Sequence, residues 1–203
     1  MNRRFQENNL VLATHNFGKI EEFKHLFGNV DFDIYDIGQY SWEPPIENGK
    51  SFRENSLIKA REASKVTGMV SLADDSGLCV ETLKGSPGIY SADWAIMNDG
   101  TRDFEFATSR LIKEIEKTNS AKPFNAYFVC SLILFWPDNH FEKFEGKING
   151  EIIWPGKGKK GHGYDPVFLP NGYKETFGEM DRWEKNKISH RGRAMDNLLD
   201  ACF

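Results

Sequence analysis

The chain has 203 residues, 39% of them hydrophobic and 28% charged, with sixteen Phe and five Trp to fill a core. That is the composition of a soluble globular protein, long enough for one large domain or a domain of two lobes. The formal net charge of −4 argues against a general polynucleotide binder, which carries a basic excess, while a single nucleotide needs only a few well-placed Lys and Arg.

The N-terminal "MNRRFQENNL" has two arginines but no apolar stretch after them, so no signal peptide is expected. "NLVLA", residues 9–13, reads as a buried strand. "THNFGK" is a polar turn, and "IEEFKHLF" repeats Ile20, Phe23, Leu26 and Phe27 at helical spacing. "VDFDIYDI" alternates as a second strand, and "SWEPPIENGK" is a loop by its Pro pair and Asn-Gly. "SFRENSLIKAREASKVTG" is the clearest helix. Ser51 and Glu54 have capping-box spacing, Gly68 stands at the C-terminal end, and Phe52, Leu57, Ala60, Ala63 and Val66 form an imperfect apolar stripe. Asn55, Lys59 and Glu62 share another face.

"MVSLA" predicts a strand ending at Asp74, with Ser76 and Gly77 turning the chain before a further strand, "LCVET". "LKGSPGIYSADWA" is a loop and "TRDFEFATSRLIKEIEKTN" a helix. "AYFVCSLILFW" is the longest apolar run, far short of the about 20 residues of a spanning helix, and reads as a buried strand. With "HFEKFEGKI" it flanks a hairpin signal at 137–139; "EIIWP" is another short strand. "GKGKKGHGYDP" is a Gly and Lys loop, and "SHRGRAMDNLLDACF" a helix capped by Ser189, with Met195, Leu198, Leu199 and Cys202 on one side. Three cysteines, at 79, 130 and 202, have spacings that suit neither a zinc site nor a disulfide framework and read as reduced thiols of a cytoplasmic protein. Mixed helices and strands throughout make the fold α/β (mixed α+β).

Several segments carry chemistry. A polar turn from a buried strand into a helix start offers N–H groups and a dipole to an anion, so Thr14, Asn16 and Lys19 suit a phosphate; a plain cap with a solvated lysine is the other reading. Asp74 and Asp75, at the mouth of an apolar run, repel unless a metal or lysine relieves them, and Mg²⁺ favours one or two carboxylates together with substrate phosphates. Asp-Asp-Ser-Gly is also good turn chemistry by itself. Either Glu47 or Glu54 could be a second metal carboxylate; capping explains Glu54, whereas Glu47 has no such local role. Lys59 can neutralise phosphate or tune a carboxylate, or simply be solvated. In the Gly-rich loop, His162 and Tyr164 offer rings and Gly163 a close backbone approach, while Lys157, Lys159 and Lys160 read as a solvated tip. His190 and Arg191, preceded by Lys185, open the last helix with donors directed outward, against the dipole.

The order and wording of six segments carry a resemblance. "TxNxxK" as Thr14-His15-Asn16-Phe17-Gly18-Lys19, "SFRENSLIKA", "LADDSGLCVETLKGSPGIYSA", "GHGYDPVF", "TFGEM" and "SHR" together resemble the inosine/xanthosine triphosphate pyrophosphatase family, from about residue 9 to about residue 200. The resemblance implies an elongated twisted mixed sheet with flanking helices, one domain over 1–203 with two lobes around a central cleft, and a homodimer. It implies hydrolysis of ITP or dITP and XTP or dXTP to the monophosphate and pyrophosphate. Residues 14–19 would bind the triphosphate. Asp75 would be general base and Mg²⁺ ligand, Asp74 its support, Glu47 the second metal carboxylate, Lys59 a lysine near the phosphates and Ser76 a substrate contact. His162, Gly163, Tyr164, Asp165, Lys185, His190 and Arg191 would hold the nucleoside. Many members carry Phe where this chain has His162, and an imidazole stacks with less apolar area and titrates. The donors of His190 and Arg191 would prefer a C6 keto oxygen to an amino group, since facing donors leave polar groups unpaired. Rival readings are a pyrophosphatase for other triphosphates, a nucleotide sensor and a polynucleotide module; Asp74, Asp75 and Lys59 together argue against the sensor, and the acidic balance against the last.

Overall fold

The computed structural model describes residues 2–203. Six strands, β1 (Asn9–Leu12), β2 (Asp33–Asp36), β3 (Val70–Val80), β4 (Phe124–Phe135), β5 (Phe141–Ile152) and β6 (Phe168–Pro170), form one mixed sheet in the order β2-β1-β3-β4-β5-β6. β1 pairs in parallel with β2 and β3, and β5 antiparallel with β6. Five helices accompany them: α1 (Phe17–Phe27), α2 (Phe52–Thr67), α3 (Phe104–Lys117), α4 (Arg182–Ile188) and α5 (His190–Cys202). The chain divides into two compact units. The first comprises Met1–Asp75, Cys130–Gly146 and Arg191–Phe203; the second, Ser76–Val129 and Lys147–His190.

In the first unit β1, the start of β3 and the end of β4 are buried on both faces, so their sequences read as continuous apolar runs rather than alternations. Successive residues nonetheless separate by the two-residue period of a strand. Leu10, Leu12, Leu72, Leu132 and Leu134 pack with Ile20, Phe23 and Phe27 of α1 and with Ala194, Met195, Leu198 and Cys202 of α5. Val11, Ala13, Ala73, Ile133 and Phe135 pack with Ala60 and Ala63 of α2 and with Trp42. The second unit has one core, in which Leu78, Val80, Phe128, Ile148 and Phe168 meet Ala107, Leu111 and Ile115 of α3. All three cysteines are buried, and none forms a disulfide.

The structure differs from the sequence expectations at five places. β3 runs unbroken from Val70 to Val80, so Asp74-Asp75-Ser76-Gly77 is strand and not turn. Turn propensity is a local preference, and here the ion pairs that satisfy Asp74 keep its carboxylate in an extended, buried segment. "EIIWP" is no separate strand, because Glu151 and Ile152 end β5. Helix α4, capped by the Asp181 carboxylate accepting from Trp183 N at 2.9 Å, was not foreseen in its short polar sequence. Val66 of α2 is 47% exposed, and buried Asn55, Ser56 and Ser64 stand beside Ala60 and Ala63 instead. The capping box at the start of α2 is shifted by one residue. Ser51 Oγ accepts from Glu54 N, but Glu54 reaches back to Lys50 N, at 2.6 Å, rather than to Ser51 N.

Candidate active site

The first unit brings its charged side chains together in two adjoining groups. The turn after β1 is tied internally: Asn16 N donates to Thr14 Oγ1 at 3.2 Å, and Asn16 Oδ1 caps α1 by accepting from Lys19 N at 3.0 Å. Lys19 then lies one turn inside α1, with Nζ 2.9 Å from the Asp74 carboxylate. Asp74 also accepts from Arg191 Nη2 at 3.2 Å, and Arg191 Nη1 donates to Glu22 Oε2 at 2.6 Å. Two cations and two carboxylates thus close a neutral quartet, buried except at the half-buried Lys19. Burial alone would push the Asp74 carboxyl up, but Lys19, Arg191 and Lys59 hold it far below the usual carboxylate range. Burial likewise works against the Arg191 charge, and Glu22 and Asp74 more than offset it.

Asp75, the next residue of β3, points into the second group. Its Oδ2 accepts from Asn55 Nδ2 at 3.1 Å, and its Oδ1 lies 3.9 Å from Lys59 Nζ. Lys59 Nζ is 2.9 Å from Glu47 Oε2. Asn55 and Lys59 stand one turn apart on α2, so one helix face delivers both groups to one carboxylate. Asn55 Oδ1 also accepts from Gly49 N at 2.9 Å, which ties the loop bearing Glu47 to the helix start. A Cβ at Gly49 would stand 2.6 Å from that Oδ1, so only glycine admits the contact without displacement. Burial pushes the Asp75 carboxyl up to about 6; Lys59 pulls it down and Glu47 adds to the rise. Burial lowers the Lys59 ammonium, but Asp75, Asp74 and Glu47 together leave it above its ordinary value. Asp74 and Asp75, neighbours in sequence, therefore differ in kind: one is a permanently ionised structural anion, the other a carboxylate poised near neutrality.

In the second unit Asp165 is the hub. It is 2% exposed, and its Oδ2 accepts from His162 N at 2.6 Å and from Lys185 Nζ at 2.5 Å. Gly163 faces the ring of Phe104. The His162 side chain is exposed, as are Lys157, Lys159 and Lys160. The loop is pinned by Lys160 N donating to Gly178 O at 2.8 Å. Gly158, with φ +84°, lies so close to the Gly178 backbone that no side chain fits there.

Three sequence expectations change here. Tyr164 offers no open ring: it is 2% exposed, stands edge-on to Phe104 at 5.8 Å, and donates its hydroxyl to Ser91 O at 3.1 Å. His190 and Arg191 do not direct their donors outward. His190 is buried and stacks on Phe128 at 4.9 Å and 13°, while Arg191 binds Glu22 and Asp74. Those carboxylates are what make a basic helix start tolerable. Glu22 was missed altogether. Its sequence signal, a carboxylate one turn after Lys19 on a face flanked by Phe23, is weak because its partner is distant in the chain. The sequence puts Asn55 on the face of Lys59 but does not show its contact with Asp75. Ser76 follows Asp75 in β3, half-buried, and Phe17 opens α1 with an exposed ring.

The Ham1 family model matches residues 10–201. A dITP/XTP pyrophosphatase of Ruegeria pomeroyi is 45% identical over 203 residues, covering 100% of this chain and 99% of that protein. One from Zymomonas mobilis is 44% identical, covering 99% and 95%. Among solved structures, a HAM1 protein from Coxiella burnetii superposes with a TM-score of 0.87 at 33% identity, covering 95% of this chain and 96% of that one. A nucleoside-triphosphatase / dITP/XTP pyrophosphatase from Mycobacterium abscessus gives 0.75 at 34% identity, covering 94% and 98%.

Proposed function

The chain belongs to the Ham1 family, and we propose that it hydrolyses non-standard purine nucleoside triphosphates, dITP or ITP and XTP or dXTP, to the monophosphate and pyrophosphate. The observation that carries this reading is Asp75: a partly buried carboxylate pushed up to about 6, oriented by Asn55 and standing beside Lys59 and Glu47. A general base works best with a pKa near the working pH, and burial moves the Asp75 carboxyl toward it. Asp74, held ionised by two cations, cannot give and take a proton there.

Asp75 accepts a proton from a water as that water attacks the α-phosphorus, and pyrophosphate leaves. Asn55 fixes the carboxylate through Oδ2 so that the base does not swing away. Lys59 offsets charge on the phosphates. Thr14, Asn16 and the N–H groups at the start of α1 receive phosphate oxygens, with the helix dipole behind them. Glu47 and Asp75 both turn oxygens toward Lys59 Nζ, and this pair of hard donors fits Mg²⁺, whose other ligands are commonly substrate phosphates and water. Among the described residues no group of three or more His, Cys, Asp or Glu converges, so the pair is a partial ligand set that phosphate oxygens would complete. Bound there, Mg²⁺ supplies positive charge to the phosphates and the leaving group.

His162, Gly163, Asp165, Lys185 and His190 are assigned to the nucleoside. We further propose a homodimer acting in the cytoplasm; no helix among the described residues is long and apolar enough to cross a membrane.

The test is a product assay. The protein is incubated with Mg²⁺ and, separately, dITP, XTP, dGTP and ATP, and the products are resolved by ion exchange. The expected outcome is monophosphate plus pyrophosphate from dITP and XTP, with dGTP and ATP spared. Diphosphate plus orthophosphate would move the attack to the γ-phosphorus and break the mechanism.

A further inference from the structure

His15 lies in the phosphate turn, yet its ring makes contacts away from α1. It meets the indole of Trp42 at 5.0 Å and 34°, and its Nδ1 lies beside Gly38, 3.7 Å from where a Cβ would stand. Trp42 is 7% exposed and packs with Val11, Ala13 and Ile37. Its Nε1 hydrogen is buried with no acceptor among the described residues. The indole is therefore held by shape and ring contact, without a hydrogen bond to fix its angle, and it stays buried despite an unpaired donor.

Trp42 begins the irregular segment that ends at Ser51 and carries Glu47. The far end is fastened to α2 through Gly49 N to Asn55 Oδ1 and Lys50 N to Glu54 Oε2. The near end is fastened by Trp42, and Pro44 and Pro45 stand between it and Glu47. Two consecutive prolines make a semi-rigid spacer, so the position of the indole is passed along the chain to the Glu47 carboxylate.

We propose that His15 is a positioning residue: its ring, set between Gly38 and Trp42, fixes the loop that presents Glu47 to Lys59 and Asp75. The phosphate turn and the carboxylate loop are then one mechanical piece, joined by a ring contact. This rests on the reading of Glu47 as a Mg²⁺ carboxylate.

The experiment compares wild type, His15→Ala and His15→Phe in two ways. Amide hydrogen exchange across residues 40–50 is followed in the ligand-free protein, and the Mg²⁺ dependence of dITP hydrolysis is measured at saturating dITP alongside the KM for dITP. In His15→Ala the 40–50 amides should exchange faster, and half-saturation should need about tenfold more Mg²⁺, as when a group supporting a metal ligand is lost. The KM for dITP should move by less than about twofold, and His15→Phe, which keeps a ring, should restore both readings. Unchanged exchange and Mg²⁺ dependence in His15→Ala would overturn the proposal. So would a raised KM for dITP with Mg²⁺ dependence untouched, which would make the ring a phosphate contact. If the wild type releases no pyrophosphate, the functional reading fails, and the exchange comparison alone decides whether His15 holds the loop.

Discussion

Asp74 and Asp75 show what a single peptide step does in a strand. Consecutive side chains leave opposite faces, so one carboxylate enters the Lys19–Arg191–Glu22 quartet and the other meets Asn55, Lys59 and Glu47. Their pH behaviour has opposite sign. The Asp74 carboxyl is held down, so its stabilising effect is complete above the unfolded value near 4 and is lost only as pH falls into the strongly acid range. The Asp75 carboxyl is pushed up to about 6, so it favours the fold below pH 4 and loses that effect as pH rises through 6. Asp75→Asn should therefore fold, lose nearly all turnover, and in the metal-free protein at pH 8 be more stable than wild type by about 2–3 kcal/mol. Thermal melts at pH 5 and pH 8 check this, since the gain should fade at the lower pH. The pairing of Asp75 with Lys59 and Glu47 was legible as an ordered set of motifs. The fate of Arg191 was not, because local sequence shows a basic helix start and cannot show the carboxylates waiting for it.

Elements were read well where local signals and tertiary packing agree. The caps of α1 and α2, the αL glycine at 68 and the 137–139 hairpin all follow from residues within one turn of each other. They were misread where non-local pairing overrode a local preference, at the 74–77 segment of β3 and at the join of Glu151 and Ile152 to β5. Helix α4 escaped notice because seven polar-rich residues show too little periodicity. The α2 start also carries a prediction. Gly49→Ala should push Asn55 from its contact with Gly49 N and so misplace the group that orients Asp75. A fall in kcat of about ten- to a hundredfold is expected, with little change in Tm. Unaltered kcat would show that Asn55 does not set the carboxylate.

At the scale of the whole molecule, the first unit is assembled from three separated stretches, and no feature of the sequence marks the joins. Its last stretch contributes Ala194, Met195, Leu198 and Cys202 to the core and Arg191 to the quartet. A chain stopped after Ile188 should show no cooperative thermal transition for this unit by circular dichroism. Breaking a buried ion pair by removing one partner costs about 3–5 kcal/mol before any lost packing is added. A sharp melt in the truncated chain would refute that dependence. The quartet also sets an order on biosynthesis. Lys19, Glu22 and Asp74 leave the ribosome early, as one cation and two anions that cannot share a dry corner. They must wait in water, solvated and apart, until residue 191 is translated and brings the missing charge. The corner where Asp75 will sit is then among the last parts of the nascent protein to settle, however early its own codon is read.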